Sequence, residues 1–123
     1  MSEQLRLSGT VIFVSDVAKM ANFYEAITGW SVVEGDKSFV RLGADDQQLV
    51  IHAIRGIENV DTEEMRVETP LKTVFTAADQ SILDRVTAEG GQILSKRKFT
   101  HAGRTHVDAV DPEGNIFQLD FPA

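Results

Sequence analysis

Three histidines, His52, His101 and His106, are the residues of this 123-residue chain best suited to proton transfer or metal ligation, because imidazole alone titrates near neutral pH without help. The chain has no cysteine, which removes thiolate nucleophiles, disulfides and cysteine-based metal sites. His52 lies in Leu49-Val-Ile-His-Ala-Ile, otherwise apolar on both faces of a strand. It reads either as a buried histidine bonded to a neighbour or as a polar group set into a ligand pocket. Alternation along a strand puts His106 on one face with Asp108, and Gln118 on one face with Asp120. If those faces converge with His52, two histidines and a carboxylate approach the facial set used by non-haem iron. His106 with Asp120 forms a candidate pair for proton transfer without any metal. The plainer reading leaves His106 on an exposed strand face, and His101, within Phe99-Thr-His-Ala-Gly-Arg104, in a surface loop. Nucleophile elbows, phosphate-cradling glycine loops and dinucleotide fingerprints are all missing, so hydrolase, ATPase and Rossmann readings have no support.

The elements that must position these residues follow one pattern twice. Leu7 to Val14 is rich in β-branched residues and predicts a strand. Asp16 stands where a carboxylate can accept the first free backbone N–H groups of a helix. Val17, Met20, Phe23, Tyr24 and Ile27 then recur at helical spacing until Gly29, which suits a left-handed helix end. Trp30 to Glu34, Ser38 to Leu42 and Gln48 to Ile54 predict three strands, with Gly35-Asp36 and Gly43-Ala44-Asp45-Asp46 as turns. The second unit repeats the order. Leu71 to Ala77 predicts a strand, Asp79 a cap, Ile82, Leu83 and Val86 a helix face, and Gly90-Gly91 its end. Gln92 to Ser95, Arg104 to Val110 and Ile116 to Phe121 predict the remaining strands, the last two joined by an Asp111-Pro112-Glu113-Gly114 turn.

The expectation is an α+β fold, one domain over 1–123, made of two βαβββ modules at 5–54 and 71–123 joined by a linker at 55–70. The modules should form curved mixed sheets around a cavity, with their helices on the convex side. The linker holds Glu58, Asp61, Glu63, Glu64 and Glu68 and ends at Pro70; such charge density reads first as a solvated joint, and second as a lid.

Composition narrows the partners. Apolar residues make up 42% of the chain and charged residues 25%, ordinary for a globular domain. The net charge of −7 and a single basic cluster, Lys96-Arg97-Lys98, argue against nucleic acid. No apolar run reaches the ~18 residues that a membrane span requires, and Met1-Ser2-Glu3-Gln4 does not open a secretory signal. A cytoplasmic location is expected by elimination. A small organic molecule is the expected partner, and an acidic chain tolerates a cationic one.

Val11-Ile-Phe-Val-Ser-Asp16-Val, Asn22-Phe23-Tyr24-Glu25 and Thr28-Gly29-Trp30 resemble the opening of the glyoxalase and bleomycin-resistance families, within the vicinal oxygen chelate superfamily. Glu89-Gly90-Gly91 resembles the end of their second helix, and Asp111-Pro-Glu-Gly-Asn115 with Ile-Phe-Gln-Leu their closing motif. Phe23-Tyr24 and the turn are structural in character, and a fold leaves function open. The resemblance implies four metal-ligand positions, which fall here on Gly9, His52, Thr73 and Gln118. Only His52 is a good transition-metal ligand, whereas a stable site wants three or four histidine, carboxylate or thiolate donors. The inherited site is therefore expected to be lost, with no cofactor, and a divalent metal enters only through a rewired set. The resemblance also implies a homodimer.

Two readings of function stand at this point. One is a metal-free binding protein of the bleomycin-resistance type, whose pocket takes His52, His106, Thr73, Gln118 and Asp120, with Phe13 and Phe75 by parity with Gly9 and Thr73, and Trp30 nearby. Core or dimer packing is the other reading of Trp30. The alternative is a glyoxalase-, isomerase- or dioxygenase-like enzyme that uses a modified metal site or acid–base chemistry at His52 or His106. A purely structural interaction domain is a third, lesser reading.

Overall fold

Apolar side chains that recur every second residue in the strands and every third or fourth in the helices meet in one core, and that core dictates the layering. The computed structural model describes residues 4–54 and 69–123. Its elements are β1 (Thr10–Val14), α1 (Val17–Thr28), β2 (Ser31–Gly35), β3 (Phe39–Ala44), β4 (Gln47–Ala53), β5 (Thr73–Thr76), α2 (Ile82–Ala88), β6 (Gln92–His101), β7 (Arg104–Val110) and β8 (Ile116–Pro122). They form two four-stranded sheets of order β1-β4-β3-β2 and β5-β8-β7-β6. In each, the first strand pairs parallel with the last, and the remaining pairs are antiparallel. The fold is thus the expected α+β pair of βαβββ units, with mixed sheets that close no barrel.

Helix α1 begins and ends as its residues dictate. The Asp16 carboxylate accepts from the Lys19 N–H at 3.0 Å, and Gly29 closes the helix at φ 72°, where a side chain would be strained. Three boundaries differ from expectation. Strand β1 starts at Thr10 rather than Leu7, and Leu5 and Leu7 are exposed. Helix α2 is capped by Ser81, while the Asp79 carboxylate accepts from the Ser81 N–H at 2.8 Å and so shapes the turn ahead of the helix. Strand β6 runs on to His101, which pairs with Arg104 across a turn with positive φ at Ala102 and Gly103. A register shift between Leu94 and Lys98 interrupts the alternation there, so the second half of the strand looked like a loop. The expected linker at 55–70, with its acidic residues, lies outside the described residues up to position 68.

The core joins both units. Met20, Phe23, Tyr24 and Ile27 of α1 are buried with Leu42, Leu49 and Ile51 of the first sheet and with Val107, Phe117 and Leu119 of the second. The Phe23 and Tyr24 rings both meet Phe117 edge-on, at 6.2 and 6.1 Å between centroids. Polar bonds reinforce this joint. The Tyr24 hydroxyl donates to Asp111 at 2.7 Å. The Glu113 carboxylate, buried at 1% exposure, accepts from the Ser15 and Asp16 N–H groups at 2.8 and 2.9 Å. The turn between β7 and β8 therefore reaches across to the start of α1. Each sheet keeps its opposite face, here called the outer face, away from the helices.

Candidate functional site

On the first sheet, register fixes who shares the outer face. Phe13 pairs with His52, and His52 with Phe39. Residues paired across strands point the same way, so these three form an aromatic row. The Phe39 and His52 rings are stacked at 6.4 Å between centroids and 17° between planes, while Phe13 is tilted onto His52 at 5.6 Å. His52 Nδ1 lies 2.8 Å from the Ala53 carbonyl, an arrangement that would fix the tautomer with a proton on Nδ1 and leave Nε2 as an acceptor. Arg41 follows two residues beyond Phe39 on the same face. One of its terminal nitrogens meets Glu34 at 2.9 Å, while its buried Nε finds no partner among the described residues.

The outer face of the second sheet is charged. Asp108 pairs with Gln118 and His106 with Asp120, so all four share it. Asp108, 3% exposed, accepts from Lys72 Nζ at 3.0 Å and from Arg97 Nε at 2.8 Å, and Gln118 lies 3.4 Å away. Burial pushes the Asp108 carboxyl up, but the bonds from Arg97 and Lys72 outweigh it and hold the group below its ordinary value. Asp120 behaves alike: desolvation raises it, and the hydrogen bonds of Arg104 and Thr76 bring it lower. Arg104 Nε and Nη2 both donate to Asp120 Oδ1, at 2.9 and 2.8 Å. His106 stacks on Phe99 at 4.7 Å and 11°.

The remaining candidates lie elsewhere. Thr73 pairs with Phe117, and Phe75 with Leu119, which turns both toward the helices. Phe13 thus sits on an outer face and Phe75 does not, because a one-residue offset exchanges the faces of a strand. Phe75 packs on Trp30, Tyr24 and Phe117. A cavity of about 750 Å³ opens beside it between the two units, lined among others by Gly9, Gln48, Trp30, Thr73, Phe75 and Arg85. Neither His52, His106, Gln118 nor Asp120 lines it. The candidates therefore fall into three groups: Phe13 with His52; His106 with Asp120 and Gln118; and Gly9, Trp30, Thr73 and Phe75.

These placements test the metal site that the resemblance implies, and the residues do not fit one. A Cβ at Gly9 would lie 2.4 Å from Gln48 Cγ and 2.6 Å from the Gln48 carbonyl oxygen, so this backbone has no room for a ligating side chain there. Thr73 and Gln118 point to opposite faces of their sheet. The nearby carboxylates, Asp108 and Asp120, are already bonded to three cations. Among the described residues, no three histidine, cysteine or acidic side chains gather as a metal would need.

Several contributors escaped the sequence reading: Phe39, Arg41, Lys72, Phe99 and Arg104. Phe39 was discoverable as the residue facing His52 across a hairpin, and Arg97 and Phe99 by their period of two. Lys72 and Arg104 carried no signal, since their roles come from partners far along the chain.

Comparison with known proteins agrees with this architecture. The chain superposes on a glyoxalase/bleomycin resistance protein/dioxygenase family enzyme from Burkholderia phytofirmans PsJN at a TM-score of 0.72 and 18% identity, covering 94% of this chain and 98% of that one. A glyoxalase/bleomycin resistance protein from Albidiferax ferrireducens T118 gives 0.72 at 17% identity, with 95% and 98% covered. A genomically encoded fosfomycin resistance protein from Listeria monocytogenes gives 0.72 at 13% identity, with 98% and 96% covered. Identities this low bear on fold alone. No curated protein matches the sequence. No helix among the described residues is long and apolar enough to cross a membrane. Residues 6–119 match the family model of the Glyoxalase/Bleomycin resistance protein/Dioxygenase superfamily, and with the βαβββ units in place, the chain belongs to that superfamily.

Proposed function

We propose that this protein binds a small organic molecule against the outer faces of its sheets and needs no transition metal to do so. The observation that carries this reading is the commitment of Asp108 and Asp120 to Lys72, Arg97 and Arg104. A carboxylate already holding one or two cations is a poor ligand for another. What the faces offer instead is recognition: the rings of Phe13, Phe39 and His52 with the buried Arg41 Nε on one sheet, and the Phe99–His106 stack beside Gln118 and Asp120 on the other. Aromatic walls with a few fixed polar groups are what small-molecule sites generally use.

These faces are open in a single chain, with Val11, Phe13, Val74 and Phe99 each about half exposed. Apolar exposure concentrated on functional faces marks an interaction surface, and we propose that a second copy of the chain covers it and completes the pocket. A cysteine-free sequence suits the reducing cytoplasm, where we place the protein.

The test is thermal unfolding after chelator treatment, with and without Ni, Zn, Mn and Fe(II). A metal held at 100 times its dissociation constant would add ~2.7 kcal/mol, roughly ten degrees for a domain of this size. We expect no such shift. A shift that one metal produces and His52→Ala abolishes would overturn the metal-free reading and direct assays to the superfamily's enzymes.

A further inference from the structure

The cavity between the units is separate from the outer faces, and its chemistry is legible. One wall is aromatic: Trp30, at the end of α1, meets Phe75 edge-on at 6.1 Å between centroids. Both rings are only partly buried and border the opening. Thr28, Gln48 and Thr73 add neutral polar groups. Four charged side chains line the same space, Arg6, Asp46, Asp79 and Arg85, and they are not equally occupied. Arg6 and Asp46 pair with each other at 2.8 Å. Asp79 is taken up by Ser81, whose bonds hold the carboxyl below its ordinary value. Arg85 makes one long bond, 3.3 Å from Nη1 to the Ile27 carbonyl. A guanidinium has five N–H donors, so Arg85 brings the largest unspent hydrogen-bonding capacity to the cavity, a few residues along the chain from the carbonyl that leads to Trp30.

We infer that this cavity is a second ligand site, one that takes a flat aromatic anion, a carboxylate or sulfonate whose ring lies against Trp30 and Phe75 and whose charged group is held by Arg85. Its volume of about 750 Å³ falls in the range of sites for drug-sized molecules, ~300–1,000 Å³. Arginine suits planar oxyanions because its fork binds two oxygens at once. The site does not depend on the outer-face reading, since it uses the helix side of β5 and the junction of the units.

Trp30 is the only tryptophan in the chain, so its emission reports on this cavity alone. The test is titration with 2-naphthoate, and with the uncharged 2-naphthamide as control, while Trp30 emission is followed. Saturable quenching is expected for the naphthoate, with weaker binding of the amide. Arg85→Gln should weaken the naphthoate roughly tenfold, the size expected for a lost charge-assisted bond, and erase its advantage over the amide. Phe75→Leu, which keeps most of the core volume, should weaken both probes. His52→Ala, on the outer face, should change neither. The proposal is overturned if naphthoate leaves Trp30 emission unchanged up to millimolar concentration, if Arg85→Gln binds as the parent does, or if His52→Ala removes the signal. The thermal test of the outer-face reading is independent of all three results.

Discussion

Asp108 shows what one side chain does for the second sheet. Its carboxylate is nearly sealed from water and satisfied by Lys72 and Arg97, so Asp108→Asn would leave two cations facing an amide. We expect a loss of roughly 1–3 kcal/mol, the cost of an uncompensated polar group, read as a lower midpoint in urea unfolding. The pH dependence follows from the direction of the shifts. Asp108 and Asp120 are held below the ordinary value of 3.8 in the folded chain. The stability they contribute is therefore complete above that value and is lost as pH falls through it toward the folded values. Melting temperature measured from pH 6 to 3 should drop more shallowly in Asp108→Asn than in the parent, and an identical slope would refute the assignment. At this scale the sequence said least. His52 stood out by being polar in an apolar strand, but Lys72, 36 positions from its partner, had no local signature. Phe75 looked like Phe13 until pairing with Leu119 turned it toward the helices.

Elements depend on one another through the turn between β7 and β8. A peptide N–H buried without an acceptor is costly, and Ser15 and Asp16 both rely on Glu113. Glu113→Gln presents an NH₂ to at least one of those donors. We expect ~1–3 kcal/mol of destabilisation, measured by urea unfolding, and faster hydrogen exchange at the first turn of α1. Tyr24 offers a second reading of the same joint, because it is the only tyrosine. Burial, then the Asp111 charge and hydrogen bond, raise its pKa well above the ordinary 10. The stability linked to the neutral phenol is intact below pH 10 and is lost as pH rises toward the folded value. Absorbance at 295 nm should therefore show no phenolate until well above pH 10, rising together with unfolding. Here the sequence was a better guide: Asp16, Gly29 and the Asp-Pro-Glu-Gly turn each marked an element end correctly. The same motif concealed its second task, since nothing local says that Glu113 reaches a helix 97 residues earlier.

For the whole molecule, the doubled βαβββ order was legible because periodicity and turn residues both repeat, and consistent signals at several levels specify a fold. How the two units meet was not legible, because α1 serves both sheets and no spacing in the chain announces a shared helix. The proposed pairing of two chains belongs at this scale. Sedimentation should show a dimer at micromolar concentration, and Phe13→Asp, on an exposed outer-face position, should shift it toward monomer without lowering the melting temperature of the monomer itself. A parent chain that sediments as a monomer throughout would retire the completed-pocket reading.

The close approach of Gly9 to Gln48 also governs how this scaffold can be re-engineered or can diverge. A histidine placed at position 9 alone meets the neighbouring backbone before it meets an ion, so that step is uphill whatever it would later gain. Displacing the chain around Gln48 first makes the second step neutral, and the two changes are useful only in that order. Positions 9 and 48 therefore form an epistatic pair, and a mutational library that varies them one at a time will miss every route back to a bound metal.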